Sequence, residues 1–257
     1  MNIYNYVSEL QLGVGESKRM NCPNCNGYKT FSATNNMGQL LWNCYKISCT
    51  ISGSARIRLS VDDIRDAIDP SVLDDDISDF SLPDYVVQHN DRPNVLSWCN
   101  TWNIDTNNID IFYDVKEDRI VFPVIHGGKM VDATGRSLGK RLPKWKRYGK
   151  NNLPFVHGHG NVAVVVEDCV SAIAVGSEVY AGVAVLGTSL AESHKRYLSQ
   201  FSTAIIALDP DAVPKTLAFA KELRGYVNDV KVLRVTDDLK YRRKEDFDNL
   251  TKLTPKE

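Results

Sequence analysis

The chain has 257 residues, of which 43% are hydrophobic and 25% charged, with a formal net charge of -1. That length and balance supply a sizeable core divided among two or three units, and no apolar stretch approaches the roughly 18 residues that span a bilayer. The polar start MNIYNYVSELQ lacks the apolar run of a signal peptide, so the expected location is cytoplasmic, with no membrane partner.

Four of the six cysteines, Cys22, Cys25, Cys44 and Cys49, fall in one short stretch. CPNC and CYKISC flank two strand-like runs, KTFSA and QLLWN, around the turn NNMG. Two thiolate pairs bridged by a hairpin offer a tetrahedral four-cysteine site for structural Zn2+, closed to substrate and so serving binding rather than catalysis. In a reducing compartment such a cluster points to metal before disulfide; the alternative is four buried or disulfide-bonded cysteines. Cys99 and Cys169 stand alone and are expected to be small buried apolar groups.

Charge is unevenly distributed along the middle of the chain. Ser60 to Asp84 holds nine Asp and one basic residue, while Arg136 to Lys150 holds seven Lys or Arg and no acid. Ser60-Val-Asp-Asp63 is an acidic variant of the capping signature and predicts a short helix limited by Pro70. Residues 70–92, with their Asp run and few aliphatics, read as a solvated linker, the sharper alternative being a competitor for a basic groove. A small helix is expected around Asn94 to Thr101, then a hairpin of DRIVFPVI and MVDATGRSL around HGGK. The basic segment GKRLPKWKRYGK follows, with Trp145 and Tyr148 set among Lys144, Lys146, Arg147 and Lys150. Cations that neutralise phosphate beside rings that stack on bases form a single-strand binding pattern; an exposed basic loop is the plainer reading.

From Asn161 onward the pattern is β-α-β-α-β-α-β, with strands VAVVV, GVAVL, TAIIAL and VKVLRV, which predicts right-handed crossovers and a parallel sheet. Glu167 closes the first strand, and Asp209 and Asp211 close the third. Ligands of open α/β sheets sit at the carboxyl ends of the strands, so these carboxylates are expected to converge there and to hold Mg2+ (or Mn2+). Taken singly, Asp168, Asp209 and Asp211 read as helix caps before metal ligands; their common edge with Glu167 reverses that order.

These segments together resemble the bacterial-type replicative primases, including the primase portion of phage primase-helicases. DRIVFPVIHGGKMVDATGRSLGKRLPKW is similar to that family's RIxFPI strand, GR pair and PK dipeptide, AVLGTSL to its LGTS turn, ALDPD to its DxD, and EDFDNL to its last acidic segment. The resemblance implies an α/β protein with an N-terminal four-cysteine zinc ribbon (1–58), an acidic helix and linker (59–92), a mixed α+β basic subdomain (93–160) and a C-terminal Toprim domain with a mainly parallel sheet (161–257). It places Glu167 as acid/base or metal ligand, Asp209 and Asp211 on Mg2+, and Asp246 and Asp248 as an outer acidic pair. Arg136 and Lys144 would contact nucleotide phosphates or template, with Lys140, Arg141, Trp145, Lys146 and Arg147 completing a nucleic-acid surface. The chain departs from the pattern at Asp168, where the family has Gly, at Ser171, where it has Asp, and in PFVHG, where a family lysine is missing and His157 or His159 stands nearby.

The implied function is a DNA-dependent RNA polymerase that makes short primers on single-stranded DNA from ribonucleoside triphosphates. No GxxxxGK[ST] phosphate loop occurs, so a separate replicative helicase, or a longer parent chain, is expected to supply unwinding. Two other classes fit fewer features: a non-catalytic zinc and Toprim recombination mediator, favoured by Asp168, and a Toprim nuclease, which needs neither the four-cysteine ribbon nor GRSLGKRLPK.

Overall fold

The computed structural model describes residues 2–68, 80–89, 91–187 and 189–255, and the chain divides into two units, Met1–Asp69 and Pro70–Glu257. In the first unit, strands β1 (Ser17–Met20), β2 (Phe31–Asn36), β3 (Gln39–Cys44) and β4 (Ser52–Arg56) pair in that order as an antiparallel sheet. The expected hairpin is β2 and β3; the flanking strands were not legible, since SKRM and SGSAR carry no apolar alternation. Met37 and Gly38 both adopt positive φ, which closes a two-residue turn whose twist matches the strands. Buried Asn35 fixes that turn, accepting from the Gly38 N–H at 2.9 Å and donating to the Leu12 carbonyl at 2.9 Å. Phe31, Ala33 and Leu40 pack with Val7 and Leu12 to form this unit's core.

Helix α1 (Ile3–Glu9) precedes the sheet and α2 (Val61–Ile68) follows it. The capping reading of α2 holds in detail: Asp63 N–H donates to Ser60 Oγ at 3.0 Å, and Ser60 N–H donates to Asp63 Oδ2 at 2.8 Å. The acidic run after Ile68, with Pro70, lies outside the described residues up to position 79. The C-terminal part of the expected linker is not a tether: Val86–Gln88 forms strand β5, and Phe80, Leu82 and Tyr85 pack beside Val86, Val121 and Ala133.

The second unit contains two five-stranded sheets. Strands β5, β6 (Phe112–Asp114), β7 (Arg119–His126), β8 (Lys129–Ser137) and β9 (Trp145–Arg147) form an antiparallel sheet in sequence order, with helix α3 (Pro93–Thr101) between β5 and β6. The other sheet has β10 (Phe155–His157), β11 (Val162–Val166), β12 (Tyr180–Ala184), β13 (Thr203–Ile206) and β14 (Asp229–Val232), in the order β10-β12-β11-β13-β14. Only β10 runs antiparallel, on β12. Its residues fall before position 160, so the sheet begins earlier than the β-α-β pattern implied.

Helices α4 (Cys169–Val175), α5 (Glu192–Leu198) and α6 (Val213–Leu223) make the crossovers, and α7 (Lys244–Leu253) closes the chain. All five residues of VAVVV are buried, as a strand covered on both faces requires. Gly182 lets α4 lie directly on β12, because a Cβ there would collide with the Ala172 carbonyl. A single buried cluster includes Phe122 and Val124 of one sheet and Val164, Val166 and Ile205 of the other, so the two sheets share one core. The connection from β11 leads to β12 on one side, and the chain then crosses to β13 and β14 on the other. That reversal opens a crevice at the carboxyl ends of β11 and β13.

Candidate functional site

The first unit gathers Cys22, Cys25, Cys44 and Cys49 so that their sulfurs all lie within 4.8 Å of one another. Cys22 Sγ is 3.9 Å from Cys49 Sγ, and Cys25 Sγ is 3.8 Å from Cys44 Sγ. A tetrahedron with metal–sulfur bonds of about 2.3 Å has edges of about 3.8 Å, so the four thiols fit Zn2+ rather than two disulfides. Cys44, whose hydrogen bond with Thr30 is the leading influence, is lowered to about 6 while neighbouring Cys25 is raised to about 11, so within the cluster the Cys44 thiolate forms first. Three of the four are buried, and the four sulfurs leave no coordination position for a substrate.

In the second unit, Glu167 follows β11 and Asp209 lies three residues beyond β13. The register pairs Val165 with Ile206, and Ala207 N–H donates to the Val165 carbonyl at 2.9 Å, carrying the two acids to one edge. They line a cleft of about 350 Å³ together with Asp168, Asp238, Thr134, Leu186 and Gly187. Lys144, Trp145, Lys146 and Arg147 of β9 and its approach form the facing wall, and Lys240 enters as well. Asp209 is pushed up to about 7, first by burial and then by the charges of Asp238 and Glu167.

Each of the other carboxylates has a cation. Lys215 of α6 places its ammonium 3.1 Å from Glu167 Oε1 and donates to the Gly187 carbonyl at 3.3 Å. Asp168 caps α4, accepting from Ser171 N–H at 2.9 Å, while its other oxygen lies 3.1 Å from Lys240 Nζ. Lys240 also contacts Asp238. The all-oxygen donor set suits a hard divalent cation. Among the described residues, however, only the four cysteines bring three or more ligand atoms so close together; Glu167, Asp168 and Asp238 are directed at ammonium groups instead.

The basic segment divides into exposed and committed side chains. Lys140, Arg141 and Lys144 are exposed, though Arg141 approaches Glu117 at 3.9 Å. Lys146 is tied to Glu117 at 2.6 Å, and Arg147 to the fully buried Asp132 at 2.6 Å. Trp145 packs against Phe122 with centroids 6.2 Å apart, and the Arg136 guanidinium lies 5.7 Å from its ring centre. Tyr148 donates its hydroxyl to Asp114 at 2.5 Å. These rings belong to the fold, which leaves the stacking of bases expected of them with less free surface. Among the described residues Arg136 Nη1 is buried without a hydrogen-bond partner; burial pushes the guanidinium below its ordinary value, and the charge of Asp168 works against that shift.

Three expected ligands lie elsewhere. Asp211 is exposed and outside the cleft lining. Asp246, on α7, is 1% exposed and holds the chain at Thr236, accepting from its N–H at 2.8 Å and its hydroxyl at 2.9 Å. Asp248 faces solvent one position past Phe247. Asp238, Lys240 and Lys215 take part instead, and no local pattern in TDDLK or VPKTL announced them. Arg119 was also missed: its fully buried guanidinium bonds Glu117 at 2.8 Å and the Pro143 carbonyl at 2.9 Å, fixing the entry to β9. His157 lies outside the cleft, and His159 lines a separate hollow of about 520 Å³ that holds no carboxylate or ammonium group.

A four-cysteine unit followed by an α/β unit with a mostly parallel sheet is the fold of a primase zinc-binding and catalytic region, so the resemblance to primases extends from motif to fold. The zinc-binding and RNA polymerase domains of the Aquifex aeolicus primase superpose with a TM-score of 0.53 at 15% identity, covering 99% of this chain and 82% of that one. The primase fragment of the bacteriophage T7 primase-helicase gives 0.43 at 13% identity, over 92% of this chain and 98% of that one. A DnaG primase catalytic domain bound to ssDNA gives 0.44 at 17% identity, over 63% of this chain, which spans 62% of it. No protein-family model matches the sequence, and neither does any curated protein.

Proposed function

We propose that the chain is a DNA primase, a DNA-dependent RNA polymerase that makes short RNA primers on single-stranded DNA. One observation carries the reading: Glu167 and Asp209 lie at the switch point of a parallel sheet, across one cleft from the basic strand β9. Glu167 and Asp209, which line the cleft, are the residues to hold Mg2+ (or Mn2+), which when bound would stabilise charge on the attacking and leaving oxygens of a nucleotidyl transfer. Lys144, which lines the cleft, and Arg136 bind and orient the triphosphate of the incoming ribonucleotide, and the exposed Lys140 and Arg141 guide the template strand. The primer 3′-hydroxyl then displaces pyrophosphate, and positioning with charge neutralisation supplies most of the acceleration.

In this reading the four-cysteine unit carries structural Zn2+ and takes part in template selection, while unwinding falls to a separate replicative helicase. No helix among the described residues is long and apolar enough to cross a membrane, and the site of action proposed is the cytoplasm.

The test is primer synthesis on a mixed-sequence single-stranded template with labelled ribonucleotides and Mg2+ or Mn2+, comparing wild type with Glu167→Gln and Asp209→Asn. Short RNA products lost in both variants support the polymerase. Template binding without products, even with helicase supplied, turns the assignment to a recombination mediator. Template cleavage without ribonucleotides turns it to a nuclease.

A further inference from the structure

Lys240 lies in the carboxylate cleft but belongs to no expected motif. Its side chain is only 12% exposed, and its ammonium lies 3.1 Å from Asp168 Oδ2 and against Asp238. The backbone around it is held on both sides. Leu239 is 2% exposed, Tyr241 meets Trp102 edge-on with centroids 5.4 Å apart, and Arg242 donates to the Ala174 carbonyl at 2.9 Å. Lys240 is therefore carried on an anchored turn of the fold, unlike a surface lysine that finds an acid by chance.

Four carboxylates, those of Glu167, Asp168, Asp209 and Asp238, line the cleft. A site of this kind ordinarily offsets its charge with a pair of divalent ions. Here Asp168 and Asp238 turn to one ammonium, Glu167 gives only its Oε1 to Lys215 at 3.1 Å, and among the described residues Asp209 has no ion pair. An ammonium offers three donors and satisfies carboxylates at about 3 Å, whereas divalent ions need oxygens at about 2.0–2.6 Å. The two oxygens drawn to Lys240 are therefore held by a cation that cannot leave.

Resting on the polymerase reading, we propose that Lys240 is a tethered cation of the catalytic cleft, taking the place of one of two divalent ions, so that the cleft binds a single ion on its Glu167 and Asp209 side. Lys240 is then a positioning residue. The plain alternative is that Lys240 only secures the α4 cap through Asp168.

Mn2+ binding to the zinc-loaded protein, followed by electron paramagnetic resonance, separates the two without recourse to activity. Wild type is expected to bind one Mn2+ in the cleft, lost in Asp209→Asn. Lys240→Gln is expected to bind a second Mn2+ or to tighten the first by about tenfold or more, since a fixed positive charge has been removed. Lys240→Arg keeps the charge and should retain the wild-type count, which guards against misfolding as the cause. An unchanged count and affinity in folded Lys240→Gln overturns the proposal, as does a wild type that binds two ions or none. Primer synthesis measured on the same samples keeps the readings apart: products from wild type with unchanged Mn2+ binding in Lys240→Gln leave the polymerase standing and remove only the tethered cation.

Discussion

The ammonium of Lys215 lies 3.1 Å from Glu167 Oε1, joining helix α6 to the end of strand β11 across 48 residues of sequence. The same nitrogen reaches the Gly187 carbonyl in the turn after β12, so one side chain ties together three of the segments that border the cleft. Lys215→Ala is expected to lower kcat/KM for primer synthesis by on the order of tenfold to a hundredfold through loss of positioning. Both partners remain partly exposed, so unfolding free energy should change by about 1 kcal/mol or less. Equal rates for variant and wild type would remove Lys215 from the site.

Zinc content is the direct test of the cysteine cluster. One Zn2+ per chain is expected by elemental analysis, falling toward zero in Cys22→Ser or Cys44→Ser. Because structural zinc contributes on the order of 10 kcal/mol to a small unit, chelation should unfold residues 1–69 and leave the far larger second unit intact by circular dichroism. Full zinc retention in both serine variants contradicts the four-thiolate site.

The division of the basic segment predicts opposite phenotypes for two neighbouring cations. Lys144 is exposed, so Lys144→Ala should weaken template binding with little sequence dependence and reduce the salt slope by about 1. Arg147 is the partner of the fully buried Asp132, so Arg147→Ala strands a buried charge and should destabilise the fold by about 3 kcal/mol or more. Salt-dependent binding isotherms and urea unfolding together distinguish the two effects.

His194 links pH to stability. It is buried in α5, and burial first, then the charges of Arg147 and His126, lower it to about 3. Its folded value lies below that of the unfolded chain, so the unfolded state binds more protons between about pH 3 and 6.5, and stability falls as pH falls through that window. His194→Asn, which keeps an acceptor for the Ala191 N–H, should reduce the slope of unfolding free energy between pH 6 and 4 by up to about 1.4 kcal/mol per pH unit. Superimposable urea profiles at both pH values for wild type and variant would contradict the assignment.

Much of the architecture was legible because it is written locally. VAVVV and TAIIAL are short apolar runs that only a sheet covered on both faces can bury, and acidic residues mark where each ends. Ser60 and Asp63 lie three apart, the spacing that closes a capping box, and two cysteine pairs around a hairpin define a metal knuckle before any coordinates are known. Glu167 and Asp209 were readable by the same logic, since parallel strands place their carboxyl ends on one edge.

What the sequence by itself determined is therefore the four-cysteine cluster, the parallel sheet and the acidic edge, all of which follow from spacing within one element or between neighbours. Only the tertiary structure decided which charges are free and which are spent. Lys240 lies 72 residues from Asp168 and Arg119 24 residues from Pro143, while Asp246 turned to Thr236 rather than to the cleft. A lysine or aspartate has the same local preferences whether it meets solvent, a template or a buried partner. Its role is set by the low-dielectric surroundings and the opposite charge that the fold brings to it.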